Sequence, residues 1–243
     1  MDDRIGFLHI GKTGGTALLS ALSNTIDVTV FHHHATLRQA VEAYPDIKMI
    51  FFVRDPVSRF VSSFYSRQRR GLPRYNSPWS ADEADAFGTF ASPTALAEAL
   101  SETGLRRAAA VRAMRAICHI REPLTQYLGS PSELESLRRN ILFIGTQESL
   151  GRDFMKLKSL LDLPSDAALP TDPVEAHRAP APPEPLSRLA QFNIRNWYGG
   201  DHALIKWCNN WRRDHAASMR KAPGSRSYLP HFLANRLPPL RSS

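Results

Sequence analysis

Cysteine is scarce: Cys118 and Cys208 are the only two in 243 residues, and they lack the spacing of a metal-binding pair. That excludes a disulfide framework or a zinc ribbon and fits a reducing compartment. No apolar run approaches the roughly 20 residues that a membrane-spanning helix requires. Acidic residues are missing after Asp214, whereas Arg220, Lys221, Arg226, Arg236 and Arg241 follow it. These five supply much of the net charge of +8 and mark 221–243 as a basic tail. Such a tail is expected to be a solvated extension, with peripheral contact to lipid head groups or an anionic polymer as the alternative. Repeats are absent too. The opening Met-Asp-Asp-Arg runs almost at once into an apolar stretch, leaving no room for a signal peptide, so the expectation is a cytoplasmic protein.

What is present is the composition of a globular chain, 42% apolar and 22% charged, with residues 1–220 expected to form a single domain. Its organising stretch is Ile5-Gly6-Phe7-Leu8-His9-Ile10-Gly11-Lys12-Thr13-Gly14-Gly15-Thr16. An apolar strand pattern runs through a Gly-rich turn into the helical pattern Ala17, Leu18, Leu19, Ala21, Leu22. Such a turn collects backbone N–H groups around an anion at the helix N-terminus. Gly14 and Gly15 permit close backbone approach, Lys12 adds positive charge, and Thr13 and Thr16 add hydroxyls. The expectation is a phosphate- or sulfate-binding loop. In the nucleotide-triphosphate loop lysine follows the glycines, whereas here Lys12 precedes the Gly14-Gly15 pair. The turn carries no G-x-G-x-x-G dinucleotide fingerprint either.

A second stretch repeats the design. Residues 48–54 read as a buried parallel strand, apolar from Met49 to Val53 and ending in Arg54-Asp55-Pro56. A helix follows, with Val57, Phe60, Val61 and Phe64 at helical spacing, Asp55 as N-cap and Pro56 in the first turn. Arg54 thus falls at a strand's carboxyl end, where open α/β sheets bind ligands. Together with Ser62 it offers a fork and a hydroxyl for a second phosphate.

These two motifs resemble those of sulfotransferases that use 3′-phosphoadenosine 5′-phosphosulfate (PAPS). The likeness is to carbohydrate 2-O-sulfotransferases of the heparan sulfate type and their soluble bacterial counterparts. His9 to Thr16 is similar to their 5′-phosphosulfate loop, and Arg54 to Tyr65 to their 3′-phosphate motif. The resemblance implies a P-loop-like three-layer α/β/α fold with a mostly parallel central sheet and added C-terminal helices. It implies PAPS as cofactor, 3′-phosphoadenosine 5′-phosphate (PAP) as product, and an acceptor hydroxyl on a sugar or glycan. Lys12, Thr13, Gly14, Gly15 and Thr16 would hold the phosphosulfate, and Arg54 and Ser62 the 3′-phosphate. His177-Arg178 falls where similar enzymes close a loop over PAPS, which makes Arg178 a candidate clamp. Gly11 stands where a proline is usual, and Ala17 where a hydroxyl residue is frequent.

The rest of the chain reads as follows. Residues 27–31 are a β-branched second strand leading into His32-His33-His34, then a helix over 37–43, which completes a βαβαβ pattern with right-handed crossovers. Residues 66–92, polar and turn-rich, are expected to form an irregular surface excursion. Helices are expected at 93–101 and 105–117, a loop at 121–129, a strand at 140–145, and a helix over 146–163. Seven prolines between 164 and 185 predict a long loop, with helices at 186–197 and 201–217 packing back on the sheet.

An acceptor hydroxyl needs a base near neutral pH, and histidine is the natural choice. His32 and His34 share one side of an extended strand and His33 the other. The resemblance favours His34, since the 2-O-sulfotransferases carry a pair spaced as His32 and His34, with His32 or His33 supporting. One strand cannot aim three successive histidines at a single ion, and no Cys or carboxylate cluster completes a set, so no metal is expected. Two other classes stay open: a kinase using ATP, and a basic module binding polyanions through residues 67–74 and the tail. No nucleic-acid recognition motif is present.

Overall fold

In the computed structural model, the residues described are 4–22, 25–32, 35–176 and 184–221. Four strands, β1 (Ile5–Leu8), β2 (Thr29–Phe31), β3 (Lys48–Val53) and β4 (Ile141–Thr146), form one all-parallel sheet in the order β2-β1-β3-β4. The helices are α1 (Gly15–Leu22), α2 (Leu37–Ala43), α3 (Pro56–Gln68), α4 (Ala81–Thr89), α5 (Pro93–Ala99) and α6 (Gly104–Ala116). After them come α7 (Leu124–Leu128), α8 (Pro131–Ser136), α9 (Leu150–Leu160), α10 (Arg188–Trp197) and α11 (Gly199–Lys221).

The apolar run of β3 explains the layering. Met49 to Val53 are all fully buried, as a strand covered on both faces must be. Ile50 and Phe52 join Phe7, Leu18 and Leu22 of β1 and α1 and Phe154 and Leu157 of α9 on one face. Met49, Phe51 and Val53 face the other way, against Leu37 of α2, Leu124 and Leu128 of α7, Leu134 of α8 and Trp211 of α11. The result is three layers, helices over a parallel sheet over helices. Truncating Phe51 or Phe52 to alanine would cost about 3–5 kcal/mol.

From β1 the chain goes outward through α1 to β2, then crosses back through α2 to β3, and β4 adds on the far side. The order therefore reverses between β1 and β3. A crevice opens at the carboxyl ends of those two strands, the switch point where such sheets take ligands. Beyond it, Phe60 and Phe64 of α3 anchor a separate helical cluster with α4, α5, α6 and α10.

Three expectations are corrected. The stretch 66–92 is not irregular throughout: α4 lies within it, opened by a Ser80–Glu83 capping box. Its acidic residues Asp82, Glu83 and Asp85 hide a short apolar face, Ala86 and Phe87, in the sequence. The helix expected from 146 starts later, since β4 runs to Thr146 and a 3₁₀ turn precedes α9. The loop expected at 121–129 contains α7, whose first N–H groups, Leu124 (2.8 Å) and Thr125 (3.0 Å), donate to buried Asp201 of α11. A cap supplied from so far along the chain leaves no local signal.

Candidate functional site

The first wall of the crevice is the turn from β1 to α1. His9 N–H still donates to Phe31 O at 3.0 Å, so the ladder outlasts β1 by a residue before the chain turns. Thr13 Oγ1 donates to Ile10 O at 2.9 Å, bracing the turn from beneath. Lys12 takes a left-handed φ of +69° and Gly14 one of +89°, which reverses the chain into α1. A Cβ on Gly15 would run into the His9 imidazole, so glycine is what lets that ring lie against the helix start. The opening N–H groups of an α-helix have no intrahelical partner, and Gly15 and Thr16 at the start of α1 line the cleft.

The second wall is the turn from β3 to α3. Asp55 caps α3 by accepting from Ser58 N–H at 2.9 Å, with Pro56 in the first turn, as the sequence predicts. Arg54 reaches across: Nε donates to Ser58 Oγ at 3.0 Å and Nη1 to Lys12 O at 3.3 Å. The arginine thus ties the two turns together. Arg59, buried one turn further on, is a second tie: its Nε donates to Gly11 O at 3.0 Å and its Nη1 to Glu122 O at 2.6 Å.

Lys12, Gly14, Gly15, Thr16, Arg54, Ser62 and His32 line one cleft of about 640 Å³. Seven of the residues singled out from sequence are therefore brought together. Thr13 belongs to the loop, but it is buried and its hydroxyl is spent on Ile10, which leaves its backbone rather than its side chain for an anion. His34, with His33, and Arg178, with His177, lie outside the described residues.

The cleft's third wall lies between α6 and α7, next to the 121–129 stretch expected to be a loop, and its individual residues were not assigned from sequence. His119 sits at φ +65°, turned so that its imidazole covers Gly11; a Cβ there would meet His119 Nδ1 at 2.7 Å. The absence of a side chain at Gly11 therefore makes room for this ring. His119 Nδ1 lies 3.4 Å from Glu122 Oε2, and Tyr127 Oη donates to the same oxygen at 2.7 Å. His32 and His9 form a second pair, Nδ1 to Nδ1 at 3.2 Å with rings edge-on. Nothing in the local pattern marks His119 and Glu122, since a three-residue spacing past a helix end is not a motif.

The electrostatics follow from crowding cations in a partly enclosed site. Burial, then the charges of Arg54, Arg69 and Arg59, lower the Lys12 ammonium to about 8. Burial lowers His119 from its ordinary value, with Lys12 and Arg59 pulling the same way and Glu122 opposing. Burial and Glu122 raise both the Cys118 thiol and the Tyr127 phenol, so each keeps its proton. Among the described residues, Cys118, His119 and Glu122 bring three donor atoms of metal-binding type within 4.8 Å of one another. Lys12 and Arg59 beside them disfavour a dication there, and such a field suits an anion instead.

Gly6 to Thr13 spells G-x-x-x-x-G-K-[ST], a match that comparing Lys12 with Gly14-Gly15 alone passes over. Gly6, however, is a strand residue, paired with Thr29 of β2 and Met49 of β3. Lys12 precedes α1 in a left-handed conformation instead of sitting in its first turn. Comparison of the chain with protein-family models and with curated proteins finds no match.

Proposed function

We propose that the protein is a PAPS-dependent sulfotransferase of P-loop-like fold, moving a sulfuryl group to an acceptor hydroxyl on a sugar or glycan. One observation carries the reading: the Lys12 turn and the Arg54 turn stand at the ends of adjacent strands, and Lys12, Arg54 and Ser62 line one cleft, which suits two anionic groups. A ligand with phosphates at both ends of a nucleoside matches that pair better than a triphosphate, whose charges lie in one row. The donors fit: a lysine, an arginine fork, two hydroxyls and a helix N-terminus.

PAPS, when bound, supplies the sulfuryl group and a phosphate leaving group. Lys12 and the first N–H groups of α1 neutralise charge on the departing oxygen, a task that fixed cations perform without a metal. Arg54, held by Ser58 and Lys12 O, presents its guanidinium to the 3′-phosphate, and Ser62 lines the same cleft. The acceptor's proton requires a histidine: His34 by resemblance, His32 or His119 by position in the cleft.

The ATP-dependent kinase is the second reading, favoured by the G-x-x-x-x-G-K-[ST] spelling. Against it stand the strand position of Gly6 and the guanidinium of Arg54 at the end of β3. Incubation with ³⁵S-labelled PAPS and a panel of hydroxylated oligosaccharides tests the proposal. Label should pass to an acceptor or to water with the wild type and fail to do so with Lys12→Ala. No release of label under any condition would contradict it.

A further inference from the structure

The cleft holds one proton-handling unit that neither motif accounts for. Tyr127 donates to Glu122 Oε2, and the same oxygen faces His119 Nδ1. A carboxylate only accepts, so the nitrogen facing it carries the hydrogen, and Nε2 becomes the basic nitrogen. The unit is built rather than incidental: Arg59 bonds Glu122 O and Gly11 O, locking its loop to the Lys12 turn. His119 takes a left-handed backbone that turns its ring toward the Lys12 turn, and Gly11 is bare where the ring lies.

We infer that His119, oriented by Glu122 and Tyr127, is the base that takes the acceptor's proton. The inference rests on the sulfotransferase reading for the identity of the step, while the orientation of the ring stands on its own contacts. His119 Nε2 takes the proton as the acceptor's O–H bond breaks and its oxygen bonds sulfur. The bond from sulfur to the 5′-phosphate oxygen breaks in concert, leaving its electron pair on that oxygen beside Lys12. Glu122 then balances the imidazolium, and Tyr127, which keeps its proton, fixes Glu122. The groups around the ring are Glu122, Lys12 and Arg59, with Cys118, Arg121 and Tyr127 reaching it through Glu122. Burial and the two cations keep it neutral at pH 7, ready to accept. His32, set against the ring of His9, is the competing base.

Two readouts test this on the full chain. Nitrogen-15 NMR of the imidazoles reads the tautomer without any turnover. Wild-type His119 should carry its proton on Nδ1, and Glu122→Gln should lower the pH at which the ring charges, because the balancing carboxylate is gone. Should Glu122→Gln not fold, Tyr127→Phe should move the same titration with the pair intact. Hydrolysis of PAPS, with water as acceptor, reads the step. His119→Asn suits this test, since asparagine tolerates the left-handed backbone and its amide replaces Nδ1. It should slow hydrolysis at least about 100-fold while PAP affinity changes less than about threefold. Proton on Nε2 in the wild type, or hydrolysis by His119→Asn at an unchanged rate and pH profile, would overturn the inference. Failure of the wild type to bind PAP would overturn the sulfotransferase reading and the step with it, a result the tautomer measurement distinguishes from a misassigned base.

Discussion

At the scale of single residues, the account depends on charges placed where an anion is to sit. Lys12 is the most exposed to test, because its ammonium is lowered to about 8 by burial and by Arg54, Arg69 and Arg59, with Cys118 opposing. A bound phosphate favours the charged form. Below pH 8 the amine is already protonated and binding needs no proton. Above pH 8 binding must take one up, so PAP affinity is expected to fall by up to about tenfold per pH unit. Calorimetry in buffers of different ionisation enthalpy checks the uptake; a pH-independent affinity from 7 to 9.5 would contradict it. Arg54→Ala should weaken PAP binding by about 10- to 100-fold, the worth of a charged hydrogen-bonding pair, and abolish preference for PAP over AMP.

At the scale of elements, the turns themselves are the functional parts. Arg59 of α3 joins the β1–α1 turn to the loop that carries His119 and Glu122. Arg59→Met keeps the stem but removes the donors to the buried Glu122 carbonyl and the partly buried Gly11 carbonyl, and should cost about 2 kcal/mol or more, read as a shift in urea midpoint. An unchanged midpoint would remove the strut. Gly15→Ala should disturb His9 and weaken PAP binding while far-ultraviolet circular dichroism stays unchanged. How much of this was legible divides along the same line. The β3 run, the Asp55-Pro56 cap and the Lys12 turn are local patterns of apolar period and cap chemistry, and each lies where the sequence places it. Residues 121–129 stood out as a polar loop, but the wall that Glu122 and Tyr127 form with His119 was not legible. Its members meet Gly11 and Arg59 only through the tertiary fold, and a left-handed histidine after α6 has no signature in composition. The α7 cap by Asp201 was hidden for the same reason, and α4 because its acidic residues masked a narrow apolar face.

At the scale of the whole molecule, the sheet sets the cleft and a helical cluster closes one side of it. The join between α3 and α4 is a buried ion pair, Arg67 Nη2 to Glu83 Oε2 at 2.6 Å, and Glu83 also accepts from Cys118 N–H beside the cleft. Burial pulls the Glu83 carboxyl up, but Arg67 and the N–H groups of Cys118 and Ser80 outweigh it and hold it below the usual range. Its contribution is therefore complete above the ordinary carboxylate pKa and is lost as pH falls through the lower folded value. Glu83→Ala should cost about 3–5 kcal/mol at pH 7 by stranding Arg67, with a smaller penalty at pH 3. The net charge of +8 leaves one competing account, a polyanion-binding module whose affinity falls steeply with salt and ignores Lys12. Titration of the full chain with PAP, against ATP and AMP, separates all of these most directly. The account predicts binding that requires the 3′-phosphate and collapses in Arg54→Ala; ATP binding as tightly as PAP would contradict it.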